Sequence, residues 1–599
     1  MTHPKTFTGL ALTLALISPA VALAATEGPS GLDFYEVPAI STTTHGDLIW
    51  YREATVDLGG GVAGFKAWNV MYRSTDSLGA QNAVTGTILV PTAKWSGFGG
   101  RPVVSYAMGT HGLQQGCAPS LQMQAGTDYE TENVKAVVNA GYAVLITDYA
   151  GYTTGDVPTY LAGESQAHAA LDIMRAASQV PGTDISEDDP VAIWGYSQGG
   201  QTATWAAELA ESYTPDLNLK GVAAGGVPAD FPVTADYLDG SSGASFLLGA
   251  VIGLAEQYPD NIDLDALTND AGKAAIEQGK NECVFEALFD FMNDSIEQYT
   301  ANGETLDEML EDENVYEAVA AQNLGSGKPT VPLYQYHGQA DEFIPISQHT
   351  DLKSEYCSRF ANVTFDVYPS EHIVTQFQAA PTVMDWLDDR FSGYPALNGC
   401  LTFSPAPEST ANPGGGDFVV TLDQWFLDGT MHLATLDQDV VLPEESTMTA
   451  DTNITQETMV GSLDVPDFQT SLRIAGIKTD VWLSIQQVGD IEGEVSLSDE
   501  GILAIDGTVA ANVVINAVGR GFAKIPFKHC KTEEPVVFDL DYAGPISDLG
   551  SGQVTFIGDT YFPDIEGCAG LASLFTALMS GPGQEYSFRI EAPAPQQWK

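Results

Sequence analysis

Three side chains in this sequence have the types and the order for covalent acyl chemistry: Ser197, within Gly195-x-Ser197-x-Gly199, then Asp341, then His372. A serine hydroxyl is a weak nucleophile until an imidazole takes its proton, and a carboxylate must hold the imidazole in the right tautomer. In those roles Ser197 attacks a carbonyl carbon, His372 carries the proton to the leaving group, and Asp341 orients the ring. Small residues two positions either side of the serine suit a strained strand-to-helix turn, where a Cβ would strike neighbouring backbone. Residues 191–196 read as a short buried strand and 202–212 as a helix, which is that setting. The N–H of Gln198 and the helix N-terminus then face the developing oxyanion. A second donor is expected from the glycine-bearing loop after the strand 101–107, at Gly109 or Thr110. No Cys-x-x-Cys or His-x-x-x-His pattern supports a metal, and this chemistry requires no organic cofactor.

The flanking pattern supplies a scaffold for such a site. Residues 49–57, 67–74 and 84–91 alternate as leading antiparallel strands. Apolar strands at 101–107, 143–149, 191–196, 221–226, 331–337 and 363–368 then alternate with helices at 130–140, 164–177, 347–360 and 375–391. Near-continuous apolar strands separated by helices predict a parallel sheet covered on both faces. Asp341 and His372 each fall on a loop just after a strand, as Ser197 does, so all three gather at one edge. Their chain order is that of the α/β-hydrolases. Asp148 also ends a strand but precedes the nucleophile, and reads as a loop hydrogen-bonder. Residues 228–328 interrupt the alternation with an acidic, helical insertion. Its apolar run, including Phe246, Leu247, Leu248, Val251, Ile252 and Leu254, predicts a lid that meets substrate.

A chain of 599 residues is too long for one core. Residues 1–24 read as a secretory signal peptide: Lys5, an apolar run over 7–17, and small residues ending at Ala24. The hydrolase unit is expected over 25–404 and a Pro/Gly-rich linker over 405–416. Residues 417–599 form a β-rich accessory domain with only 568–579 helical. The fold class is therefore α/β, an α/β-hydrolase core with a mostly helical cap insertion, plus a separate C-terminal all-β domain. Six cysteines in an exported chain favour three disulfides. Local pairing suggests Cys357 with Cys400 and Cys530 with Cys568, leaving Cys117 with Cys283. The net charge of −57 argues against nucleic acid and anionic membranes as partners, and raises a saline habitat as a hypothesis.

Residues 35–400 resemble the secretory lipase family of the Candida antarctica lipase A type. The resemblance rests on Cys117-Ala-Pro-Ser120, Asp148-Tyr-x-Gly-Tyr152 with Pro158-x-Tyr-Leu161, Gly195-Tyr-Ser-Gln-Gly-Gly200, Pro228-Ala-Asp230, His337-Gly-x-x-Asp341 with Ile344-Pro345, and His372. It implies a cap between nucleophile and aspartate, a triad of Ser197, Asp341 and His372, hydrolysis of carboxylic esters including lipids, and the pairings Cys117 with Cys283 and Cys357 with Cys400. Many bacterial relatives read His-Gly-Thr where this chain has Met108-Gly109-Thr110, which leaves the second oxyanion donor open. The resemblance stops short of the C-terminal third. A secreted ester hydrolase is thus the leading expectation. An acyltransferase or a peptidase on the same triad, or an adhesion protein on a hydrolase scaffold, are the competing readings. The C-terminal domain is expected to touch a lipid, polymer or glycan surface or to act as a stabilising appendage.

Overall fold

A computed structural model of the protein describes residues 25–155, 157–401, 406–411, 417–474, 476–521 and 523–598. The expected signal peptide and residues 405 and 412–416 of the expected linker lie outside these.

The strands β1 (Leu48–Ala54), β2 (Phe65–Thr75), β3 (Gln81–Pro91), β4 (Val103–Ala107), β5 (Ala143–Thr147), β6 (Val191–Tyr196), β7 (Leu219–Gly225), β8 (Leu333–Gly338) and β9 (Val363–Tyr368) form one sheet. Their order is β1-β2-β3-β5-β4-β6-β7-β8-β9. The first three and the β3–β5 contact are antiparallel; from β5 onward the pairs are parallel. Every residue of β4, β5, β6, β8 and β9 is buried, as two covered faces demand. The helices Gly163–Ser178, Gln198–Tyr213 and Ile346–Ser358 bury Leu171, Ala206 and Tyr356 on one face. Thr131–Asn139 and Ala380–Phe391 bury Val134, Val138 and Leu387 on the other. Parallel strands end at a common edge, so the loops after β4, β6, β8 and β9 converge there.

Two local expectations are corrected. The helix expected over 375–391 is two helices, His372–Gln378 and Ala380–Phe391, because Pro381 takes the first turn of the second. His372 therefore opens a helix instead of sitting in a loop. Its N-cap is Glu371, whose carboxylate accepts from the N–H groups of Ile373 and Val374.

Between β7 and β8 lies a helical cap, including Phe231–Leu238, Ala244–Gln257, Asp270–Gly279 and Val284–Asp290. Beyond 417 the described residues form a second, antiparallel sheet of fifteen strands around an apolar interior that runs on into the cap residues Leu238, Leu247, Phe285 and Leu288. Along its longest strand, Ile502–Arg520, buried and more exposed side chains alternate over most of the length, the period-two signature of one covered face. The strands Thr447–Asn453, Thr458–Asp464, Ile491–Leu497 and Gly581–Glu591 were not anticipated. Three disulfides form: Cys117–Cys283, Cys357–Cys400 and Cys530–Cys568.

The last residues depart from the expected division at 417–599. Gln596–Gln597 is a strand on the free edge of β9, antiparallel to it. Trp598 holds it there: its N–H donates to the Phe365 carbonyl at 3.0 Å, and Lys353 Nζ lies 3.9 Å above its ring. The second sheet thus leaves the hydrolase sheet and returns to it.

Candidate active site

Ser197, between β6 and the helix Gln198–Tyr213, has φ 56° and ψ −121°, a backbone conformation that non-glycine residues rarely adopt. The elbow closes tightly around it. A Cβ on Gly195 would lie 2.1 Å from the Gly199 carbonyl oxygen, and one on Gly199 1.9 Å from that of Ala107. Neither position can carry a larger residue without moving the turn, which is why the serine is flanked by glycine on both sides.

Asp341 and His372 meet as a pair. His372 Nδ1 lies 2.7 Å from Asp341 Oδ2, while Asp341 Oδ1 accepts from the N–H groups of Phe343 and Ile344 at 3.0 and 2.8 Å. Burial pushes the Asp341 carboxyl up, but His372, His337 and the Ile344 N–H outweigh it and hold it below the usual carboxylate range. The imidazole of His372 is packed between Tyr196 and Phe343, with ring centroids 5.0 and 5.3 Å away. Ser197 and His372 line the same cavity of about 40 Å³, together with Thr110, Phe246, Phe285 and Leu288. In this narrow arrangement no hydrogen bond joins the serine hydroxyl to the imidazole. Such contacts are commonly long without substrate and tighten on binding.

The oxyanion loop corrects one expectation. The Gly109 N–H donates to the carboxylate of Glu130 at 2.6 Å and is not free for a substrate. Neighbouring groups are pinned in turn. The Met108 carbonyl accepts from Tyr149 Oη at 2.7 Å, the Gly109 carbonyl pairs with His111 Nδ1 at 3.0 Å, and the Thr110 carbonyl accepts from Tyr129 Oη at 2.9 Å. With these groups committed, the N–H groups of Thr110 and Gln198 are left without an acceptor among the described residues. Glu130 also accepts from Tyr106 Oη at 2.5 Å. Burial raises its pKa to about 7 against the pull of His111. Burial opposes the charge of His111, yet Asp128 at 3.2 Å and then Glu130 lift its pKa to about 9.

Other acidic neighbours were also missed. Glu342 accepts from the His372 N–H at 3.1 Å. Burial, Glu371 and Asp341 push it well above the usual range, and burial first of all raises Glu371 to about 7. In a chain with 80 acidic residues, a glutamate beside a candidate catalytic histidine carries almost no sequence signal. Asp148, by contrast, takes the structural place expected of it, accepting from Thr85 and from the N–H and hydroxyl of Ser120.

The expected lid residues divide. Phe246 reaches the serine's cavity. Leu247, Val251 and Leu254 line a separate apolar cavity of about 100 Å³ inside the cap, and Leu248 and Ile252 a smaller one; Phe246 borders all three. The roof over Ser197 comes instead from the helix Val284–Asp290, through Val284, Phe285 and Leu288. Its N-cap is Cys283, which is bonded to Cys117 and bridged to Gly112 of the oxyanion segment. The second sheet bears on this roof from outside. A Cβ on Gly501 would lie 2.7 Å from the Phe285 ring, and Phe418 packs 6.0 Å from Phe343.

A parallel sheet with a serine elbow, a helical cap and converging loops defines an α/β-hydrolase. The model for the family described as secretory lipase matches residues 118–399. Lipase 10 of Candida albicans is 30% identical over 400 residues, covering 62% of this chain and 83% of the relative. Lipase A of Moesziomyces aphidis is 27% identical over 413 residues, covering 65% and 86%. The crystal structure of Candida antarctica lipase A in its closed state superposes with a TM-score of 0.55 at 23% identity, over 63% of this chain and 89% of that one. The chain belongs to the secretory lipase family, and so to the carboxylic ester hydrolases.

Proposed function

We propose that this protein is an exported serine hydrolase that cleaves lipid or other hydrophobic esters through an acyl-enzyme. The observation that carries the reading is one cavity walled by both the elbow serine and an imidazole whose far nitrogen is fixed by a buried aspartate. A proton on His372 Nδ1, donated to Asp341, leaves Nε2 as the base. It takes the Ser197 proton as Oγ attacks the ester carbonyl. The tetrahedral oxyanion is held by the N–H groups of Gln198 and Thr110, each worth about 3 kcal/mol in the transition state. The protonated imidazole then releases the alcohol, and water, deprotonated by the same nitrogen, frees the acid.

The cap's apolar cavity, bordered by Phe246 next to the serine, favours an acyl chain over a polar one. Export is supported by the leader-like 1–24 and by three disulfides. No helix among the described residues is long and apolar enough to cross a membrane. We assign the C-terminal region contact with an insoluble substrate's surface and no part in bond cleavage, since, among the described residues, none beyond Gln376 lines the serine's cavity.

The test is turnover of p-nitrophenyl esters of increasing acyl length by the wild type and by Ser197→Ala. The variant should fall to background on every ester while keeping the wild-type melting temperature. Residual turnover at the wild-type rate would remove the serine mechanism.

A further inference from the structure

Most of this molecule repels anions, but one end of its second sheet has the opposite character. Residues 417–598 contain 28 acidic and seven basic side chains. None of the acids falls within 468–479 or 515–532, yet six of the bases do: Arg473, Lys478, Arg520, Lys524, Lys528 and Lys531. Register brings the two stretches together. Phe468–Ile474 pairs with Ile477–Gln487, which pairs with the far end of Ile502–Arg520, which turns back into Ala523–Pro526. The turns after Ile474 and Arg520 therefore lie side by side at one end of the sheet.

Bulky apolar side chains share this tip. Ile477 and Ile525 are 55% and 56% exposed, and Lys524 Nζ sits 4.2 Å over the half-buried Trp482 ring. Among the described residues, none of the six bases has a carboxylate within 4.0 Å. Of the acids closest in register, Asp480 is engaged with the Ser471 hydroxyl and Asp437 and Asp439 with His432, while Glu566 lies across the ladder from Lys531, away from the turns. Scattered exposed isoleucines are ordinary. Isoleucine, indole and the four bases Arg473, Lys478, Arg520 and Lys524 at the turns of one sheet end, in a protein of net charge −57, are not. Cations at headgroup level with aliphatic and indole groups beneath them are what a lipid–water interface selects.

We infer that this tip docks on an anionic lipid surface. The whole-chain charge does not forbid it, because repulsion from the remaining acids fades over a Debye length of about 8 Å at physiological salt. The tip is also remote from the cap. Gly501, at one end of the long strand, packs on Phe285, and Arg520 is at the other, up to roughly 60 Å away for nineteen residues. Docking there tethers the hydrolase at a distance from the cap. The inference draws on the ester-hydrolase reading for one point only: carboxylates released at an ester interface would themselves make it anionic.

The experiment is co-sedimentation of full-length Ser197→Ala protein, which leaves the lipid intact, with two kinds of vesicle. One is phosphatidylcholine alone and the other phosphatidylcholine and phosphatidylglycerol in equal parts. The protein should pellet with the mixed vesicles and not with the neutral ones. Lys478→Ser, Arg520→Ser and Lys524→Ser should weaken binding about fivefold per charge removed, and Ile477→Ser with Ile525→Ser should weaken it without changing its salt dependence. The same substitutions with Ser197 intact should leave soluble-ester turnover unchanged, showing a folded enzyme. Equal binding to both vesicles, undiminished binding by the charge variants, or a tip that holds soluble heparin but no vesicle would each overturn the inference. Loss of soluble-ester activity in Ser197→Ala tests the hydrolase reading separately.

Discussion

Glu130 concentrates much of what is testable at the scale of single residues. Its carboxylate takes the Gly109 N–H and the Tyr106 hydroxyl, and so fixes the peptide that precedes Thr110. Because it touches neither substrate nor serine, it is a positioning residue. Glu130→Gln should lower kcat about tenfold with little change in KM, as expected when a group stabilises only the transition state. A pH profile separates this from a general loss of fold. Glu130 is raised from 4.5 to about 7 and His111 from 6.5 to about 9. A group whose folded pKa is raised stabilises the fold fully below its unfolded value and loses that contribution as pH climbs through its folded value. Glu130 therefore costs stability between pH ~4.5 and ~7, at up to about 1.4 kcal/mol per pH unit. Melting temperature should fall from pH 5 to 9 in the wild type, with the fall between pH 5 and 7 flattened in Glu130→Gln. An unchanged slope in the variant would detach Glu130 from the effect.

Elements were legible where the sequence constrains backbone as well as polarity. The elbow could be read because two glycines must flank the serine, and 2.1 and 1.9 Å clearances show how little room a methyl would find. Gly199→Ala should accordingly abolish turnover on soluble esters while the protein still folds. The hairpin of Thr447–Asn453 and Thr458–Asp464 carries a weak strand signal because, of its inward positions Met448, Ala450, Thr452, Met459, Gly461 and Leu463, only Thr452 is β-branched and none is aromatic. The role of Gly109 was misplaced because no pattern in a single chain shows which acceptor an N–H will meet. The apolar run in Ala244–Gln257 predicts a lid, but that helix is apolar all round and buries itself within the cap. The true roof, Val284–Asp290, is short and marked chiefly by the cysteine at its N-cap. Reducing that tether by Cys117→Ser with Cys283→Ser should lower stability by about 3–5 kcal/mol, for a loop of 166 residues. Chemical denaturation measures this directly; a midpoint within error of wild type would show that the roof is held by packing alone.

At the scale of the whole molecule, charge and connectivity dominate. Self-repulsion at a net charge of −57 should be relieved by salt. Melting temperature should rise steadily up to molar sodium chloride, and a flat series would show that the acidic surface is merely solvated. Composition gave this average but hid its exception, since a net charge says nothing about where six lysines and arginines gather. The second, all-β sheet was legible from the change of texture after the proline- and glycine-rich segment. The return of the chain was not, because Gln596–Gln597 has no β-forming residue to announce it. Trp598→Ala should cost about 1–2 kcal/mol, as a half-buried ring loses its contacts with Phe365 and Lys353.

That return has a bearing on how the protein is made. The hydrolase sheet begins with residues synthesised near position 48, yet its outermost strand emerges only at 596. While the intervening two hundred or so residues after β9 are still being translated or exported, the ladder of β9 has an unfilled side, the kind of open edge that invites pairing with the wrong chain. A nascent chain stalled anywhere in its final third would carry every proposed catalytic group and still lack the strand that closes its edge.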